Sequence, residues 1–329
     1  MGHDNQDSIA PANSPGIESP PAPARRFLRN VIAVVIPAIV LFFVGRAMWS
    51  RWETVTEHSW KLDVWWLTLS AVVFWADFIV LVYLWRSILL MVSGKRLPFM
   101  SGYRISALSN LGKYVPGKVW TVLGMVYFLK REGYAATSAL AATGLHQAYT
   151  LVAGGIFVSV VLGAEIWGGL PAVSVFIGVG LSALIVYPPV FSFFLNRGLR
   201  LFKRDPLPLN LSFGKALMLL SAYVLAWVLY GSSFWCMLRG IGFQDAPFWN
   251  MVAASGAAYL LGFLALFAPG GLGVREGVLL VLVSPYVPAG LAATIAVVAR
   301  VWMTIIELLG LLPVLHNAKQ MRFEQVEKH

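Results

Sequence analysis

From residue 64 to residue 92 the chain carries only two charged side chains, Asp77 and Arg86, in an otherwise apolar run. A helix needs roughly 20 apolar residues to cross a hydrocarbon core of about 30 Å, and this run exceeds that. Similar runs occupy 31–49, 135–163, 171–194, 213–238 and 289–315. Hydrophobic residues make up 58% of the chain and charged residues 12%, against about a quarter charged in a soluble domain. Too little polar surface remains to coat a water-soluble fold. The expectation is an all-α integral membrane protein of about six transmembrane helices.

Residues 1–24 are rich in Pro, Ala, Ser and Asn and read as a disordered cytoplasmic tail, 25–316 as the transmembrane domain, and 317–329 as a second cytoplasmic tail. The run at 31–49 follows a basic cluster but lacks a small-residue cleavage site, so it reads as a retained helix. The net charge of +10 comes from basic residues placed between apolar runs. Membrane topology and anionic headgroups account for that placement better than nucleic acid does. The single cysteine, Cys236, sits in an apolar run and reads as a small buried hydrophobe.

Positive charge gathers on the cytoplasmic side. The clusters are Arg25, Arg26 and Arg29; Lys95 and Arg96; Lys130 and Arg131; Arg197, Arg200, Lys203 and Arg204; and Lys319, Arg322 and Lys328. Lys95/Arg96 and Lys130/Arg131 then share one face, so 99–131 enters and leaves by that face. Its arms, 99–111 and 119–129, are each too short to span. A re-entrant helical hairpin satisfies both conditions. The same parity predicts a second hairpin over 247–285, dipping from the opposite face. The order helix, helix, hairpin, helix would occur twice, over 30–163 and 171–315, as an inverted-topology repeat.

Both hairpins contain a broken, cation-bearing segment. The first includes Asn110, Gly112, Lys113, Tyr114, Pro116, Gly117 and Lys118; the second includes Pro269, Gly270, Gly271, Gly273, Arg275 and Glu276. Irregular backbone at membrane depth persists only inside protein or beside a watery cavity. Each break exposes backbone N–H groups at a helix start, and Lys and Arg add full charges suited to a phosphate-bearing headgroup. The competing reading is two surface loops whose cations touch lipid phosphates. Glu276 either neutralises Arg275 or Arg300 or accepts a proton.

Arg300 lies in the last run with Glu307 seven residues on, nearly two helical turns, so both project from one face. An ionisable group this deep normally faces the bundle interior or a cavity, so Arg300 reads as a headgroup-binding residue, against a structural counter-ion. Asp77 either pairs with Arg300 or serves as a proton site. His146 and Gln147 are either hydrogen-bonded inside the bundle or touch a headgroup. Arg86 snorkels to the interface. Trp49, Trp52, Trp60, Trp65, Trp66, Trp167 and Trp249 fall near predicted membrane edges, as an aromatic belt does. The chain holds no P-loop, HExxH, GxSxG or metal-ligand cluster, and no cofactor is expected.

The two broken segments, in residue type and order, resemble the two signatures of the lysylphosphatidylglycerol synthase transmembrane-region family of flippase-like membrane proteins. Arg300, with Pro313 downstream, is also similar to that family. The resemblance covers nearly the whole chain after about residue 25. It implies a polytopic domain of the bacterial cytoplasmic membrane that moves lipids between leaflets. The aminoacyl-phospholipid synthases fuse this domain to a cytosolic transferase, for which no sequence is seen here, so synthase activity is not expected. The expected function is movement of an anionic or phosphate-bearing lipid of phospholipid, glycolipid or hopanoid type. Its partners would be membrane lipids and a lipid-biosynthetic enzyme. The alternative is an integral membrane enzyme or accessory subunit, with Asp77, Glu276, Glu307 or His146 as base.

Overall fold

The computed structural model describes residues 60–114, 119–166, 188–201, 212–265, 268–287 and 291–314. The expected helix at 31–49, both tails and 171–187 lie outside them, as do Pro116, Gly117 and Lys118. The described helices are α1 (Val64–Ser93), α2 (Phe99–Asn110), α3 (Val119–Arg131), α4 (Ala136–Ile166), α5 (Pro188–Leu201), α6 (Phe213–Gly240), α7 (Phe248–Leu264), α8 (Val274–Val283) and α9 (Leu291–Leu309). Among the described residues, four stretches are long and apolar enough to cross a membrane: α1, residues Ala136–Gly163 of α4, α6, and Leu291–Val314, which contains α9. The protein is an all-α, multi-pass membrane protein.

Local chemistry fixes the helix limits. The Asp63 carboxylate accepts the N–H of Trp65 at 2.9 Å and starts α1; Gly94, at φ +68°, ends it. α1 exposes Val72, Ile79 and Met91 while burying Ser70 and Asp77. That reversal of soluble-protein burial suits a helix with lipid on one side and a polar interior on the other. α5 runs to Leu201, beyond the predicted end of the 171–194 span.

Hydrogen bonds between elements set their directions. Asp63 N donates to Gly240 O at 2.8 Å, so the start of α1 meets the end of α6. Ser70 Oγ donates to Ser233 O at 2.7 Å, and Ser233 Oγ to Ser70 O at 2.8 Å. Trp302 Nε1 of α9 donates to Ser70 Oγ at 3.0 Å and joins the third helix to this node. Between apolar helices in lipid, such polar contacts and close packing replace the hydrophobic effect. Gly231 supplies the packing on α6, since a Cβ there would lie 2.6 Å from Val252 O of α7.

α2 and α3 pack as a helical hairpin, and so do α7 and α8. The base of the first lies at the end of the bundle where α1 finishes. There Arg86 Nη2 donates to Leu97 O at 2.6 Å and Lys95 Nζ to Gly133 O at 3.4 Å. Arg86 is thus held against the hairpin base and stacks over Tyr83 and Phe99, beyond the simple snorkelling expected of it. The base of the second lies at the opposite end, beside the finish of α6, where Asn250 Nδ2 donates to Tyr286 OH at 2.8 Å. The tips, Leu111–Tyr114 and Pro269–Gly271, touch each other. α9 runs parallel to α1 beside them: Trp75 Nε1 donates to Ile306 O at 3.1 Å, and Tyr103 OH to Gly310 O at 2.6 Å.

Candidate functional site

Where the tips meet, α1, α4, α6 and the two hairpins enclose a cavity of about 190 Å³. Each tip contributes one cation, Lys113 from the first and Arg275 from the second. Asp77 of α1 and Glu307 of α9 face the same space. Aromatic walls from α6 and α7 complete it, chiefly Tyr223, Trp227, Tyr230 and Tyr259.

The break at each tip follows from its residues. In the second, Gly270, Gly271 and Gly273 have φ values of +59°, +75° and +79°, a region glycine enters without steric cost. A Cβ on Gly271 would lie 2.9 Å from both Cα and O of Gly262, so the turn folds directly onto α7. Gly273 N donates to Glu276 Oε2 at 2.6 Å and closes the first turn of α8. Arg275, next in that turn, lays its guanidinium 4.2 Å from the centre of the Tyr259 ring. In the first tip, a Cβ on Gly112 would lie 2.8 Å from Trp120 C and Thr121 N, which marks how closely the two arms approach.

α9 holds both tips. Lys113 Nζ forms an ion pair with Glu307 Oε1, and Tyr114 OH donates to Glu307 Oε2 at 2.9 Å. Arg300 Nη2 donates to Gly270 O at 3.0 Å, and its Nε lies 3.9 Å from Glu276 Oε1. The seven-residue spacing of Arg300 and Glu307 therefore aims one at each tip.

Of the residues singled out in the sequence, Asn110, Lys113, Gly270, Arg275, Asp77, His146, Gln147 and Glu307 line the cavity. Glu276 and Arg300 line a smaller adjoining cavity of about 40 Å³, which Arg275, Tyr230 and Tyr259 share. Tyr114 acts through Glu307. Gly271 and Gly273 shape the second turn, which Pro269 begins. An Asp77–Arg300 pair is not what forms. Arg300 is taken up by Gly270 and Glu276, and Asp77 Oδ1 is buried with no hydrogen-bond partner among the described residues. His146 Nδ1 lies 2.5 Å from Tyr223 OH, so this histidine is hydrogen-bonded within the bundle while still facing the cavity.

The aromatic wall escaped the sequence reading, because tyrosine and tryptophan in an apolar run look like packing. A signal was present. Tyr223, Trp227 and Tyr230 are spaced four and three apart, which places them on one helical face.

A family model described as the lysylphosphatidylglycerol synthase TM region matches residues 30–310. No curated protein sequence matches the chain.

Proposed function

Because the chain belongs to the lysylphosphatidylglycerol synthase transmembrane-region family, a membrane family linked to lipid handling, we propose that it moves an anionic or phosphate-bearing lipid between the leaflets of the bacterial cytoplasmic membrane. The observation that carries the proposal is the meeting of two broken hairpin tips, based at opposite ends of the bundle, beside one cavity that holds a cation from each. In a bilayer these would be re-entrant hairpins dipping from opposite faces, with both termini cytoplasmic. The headgroup would lie against Arg275, beside the Lys113–Glu307 pair, while the acyl chains stay among lipids. Opposed hairpins supply two gates for alternating access. The role is transport without chemical conversion, and lipid recovered afterwards would be unchanged in mass.

The test is a leaflet-resolved quenching assay in proteoliposomes carrying a fluorescent anionic phospholipid. Losing one charge-assisted contact costs about 1.5–3 kcal/mol, or about tenfold or more in rate. Arg275→Ala should show that loss, Lys113→Ala, which strands Glu307 in the cavity, should also slow movement, and Lys118→Ala tests the remaining cation of the first broken segment. If the folded variants match wild type, the site is misassigned. If wild type moves no anionic lipid, the functional reading fails.

A further inference from the structure

Six charged side chains among the described residues surround the two adjoining cavities: Lys113, Arg275 and Arg300 against Asp77, Glu276 and Glu307. Four are matched within the fold. Lys113 pairs with Glu307 through a hydrogen-bonded ion pair, and Arg300 offsets Glu276 at 3.9 Å by charge alone, without a hydrogen bond to Oε1. The two left over are Arg275 and Asp77. Arg275 forms no ion pair among the described residues, and its Nε has no hydrogen-bond partner. Asp77 is 5% exposed, its Oδ1 is unpartnered among the described residues, and it lines the same cavity.

The neighbours of Asp77 do not replace a counter-ion. α4 presents His146, already bonded to Tyr223 of α6. α6 also presents Tyr230, and α7 presents Tyr259, which lies against Arg275. Hairpin one presents Lys113, and α9 presents Glu307, which take each other. An anion arriving at Arg275 uses the one cation of this described set not already matched. An ionised Asp77 would then be a second negative charge in the same low-dielectric space, with nothing to offset it. With a proton on Asp77, the six-residue set carries one net positive charge, and one anion balances it.

We infer that the cavity takes up a monoanionic phosphodiester headgroup together with one proton, the headgroup against Arg275 and the proton on Asp77. The inference rests on the lipid-binding reading above and adds to it the charge class of the headgroup and a coupled ion. The proton passes from water to a carboxylate oxygen of Asp77 and returns to water on release, with no covalent change in the lipid. A proton gradient across the membrane would thereby bias the direction of lipid movement.

The experiment is isothermal titration of the full chain in detergent with dihexanoyl phosphatidylglycerol, a soluble monoanionic phosphodiester, in buffers of differing ionisation heat. Wild type should take up about one proton per lipid bound, and its affinity should fall about tenfold per pH unit once Asp77 is ionised in the free protein. Asp77→Asn should bind with no proton uptake and no such slope. Glu132→Gln, which removes a carboxylate paired with Arg104 outside both cavities, should keep the uptake of one proton. Asp77→Glu should keep it too and provides the comparison if the asparagine variant does not fold. Binding by wild type without proton uptake, or unchanged uptake in Asp77→Asn, overturns the inference alone; so does sodium replacing the proton. No binding of the probe by wild type overturns the inference and the lipid-binding reading together.

Discussion

Glu307→Ala strips the first tip of its hold on α9, and the structure sets the size of the effect. Removing one member of a fully buried ion pair costs about 3–5 kcal/mol, because the other charge is stranded. The side chains of Lys113 and Glu307 keep 18% and 21% of their exposure, toward a cavity that admits water. Screening there lowers the figure to about 2–3 kcal/mol. Loss of the Tyr114 hydrogen bond adds about 1 kcal/mol, for a total of about 3–4 kcal/mol. Denaturant unfolding in detergent measures it, in a double-mutant cycle with Lys113→Met. Lys113→Met should be neutral or stabilising in the Glu307→Ala background, since it removes the stranded ammonium. The coupling energy should reach about 2 kcal/mol. A cycle additive within about 0.5 kcal/mol would show that the pair does not hold the tip.

Gly271→Ala meets two penalties, about 1–2 kcal/mol for a left-handed backbone and about 1–3 kcal/mol for forcing Cβ against Gly262. Gly94→Ala, also left-handed but with open space around it, should lose only the first in the same unfolding measurement. Arg300→Lys cannot serve Gly270 O and Glu276 at once and should cost about 1–2 kcal/mol, with faster hydrogen exchange at the second tip as its signature. Tyr223→Phe removes the hydroxyl beside His146 and should lower stability by about 1–2 kcal/mol, whereas Phe213→Tyr, at an exposed helix start, should change it by less than about 0.5 kcal/mol.

Helix limits were legible because they depend on neighbours in sequence. The run at 64–92 became Val64–Ser93 because Asp63 and Gly94 supply a cap at each end. The arms predicted at 99–111 and 119–129 are the helices Phe99–Asn110 and Val119–Arg131. Partnerships across the bundle were not legible in the same way. The spacing of Arg300 and Glu307 gave their common face, but nothing in α9 says that a tip from each half abuts it. Glu276 offered three roles, and its place as a cap on Gly273 N emerges only once the glycine turn is closed. Asp77 was conspicuous as a charge in an apolar run, yet its lack of a partner is a property of the other helices around it.

Seven residues of α-helix rise about 10 Å, so the two fastenings on α9 sit at a fixed separation along one stiff rod. Rotating or sliding that rod displaces both hairpin ends by the same amount. Whatever loosens the grip on one is mechanically reported to the other, so in the proposed transport cycle the two gates would be yoked and not independent doors.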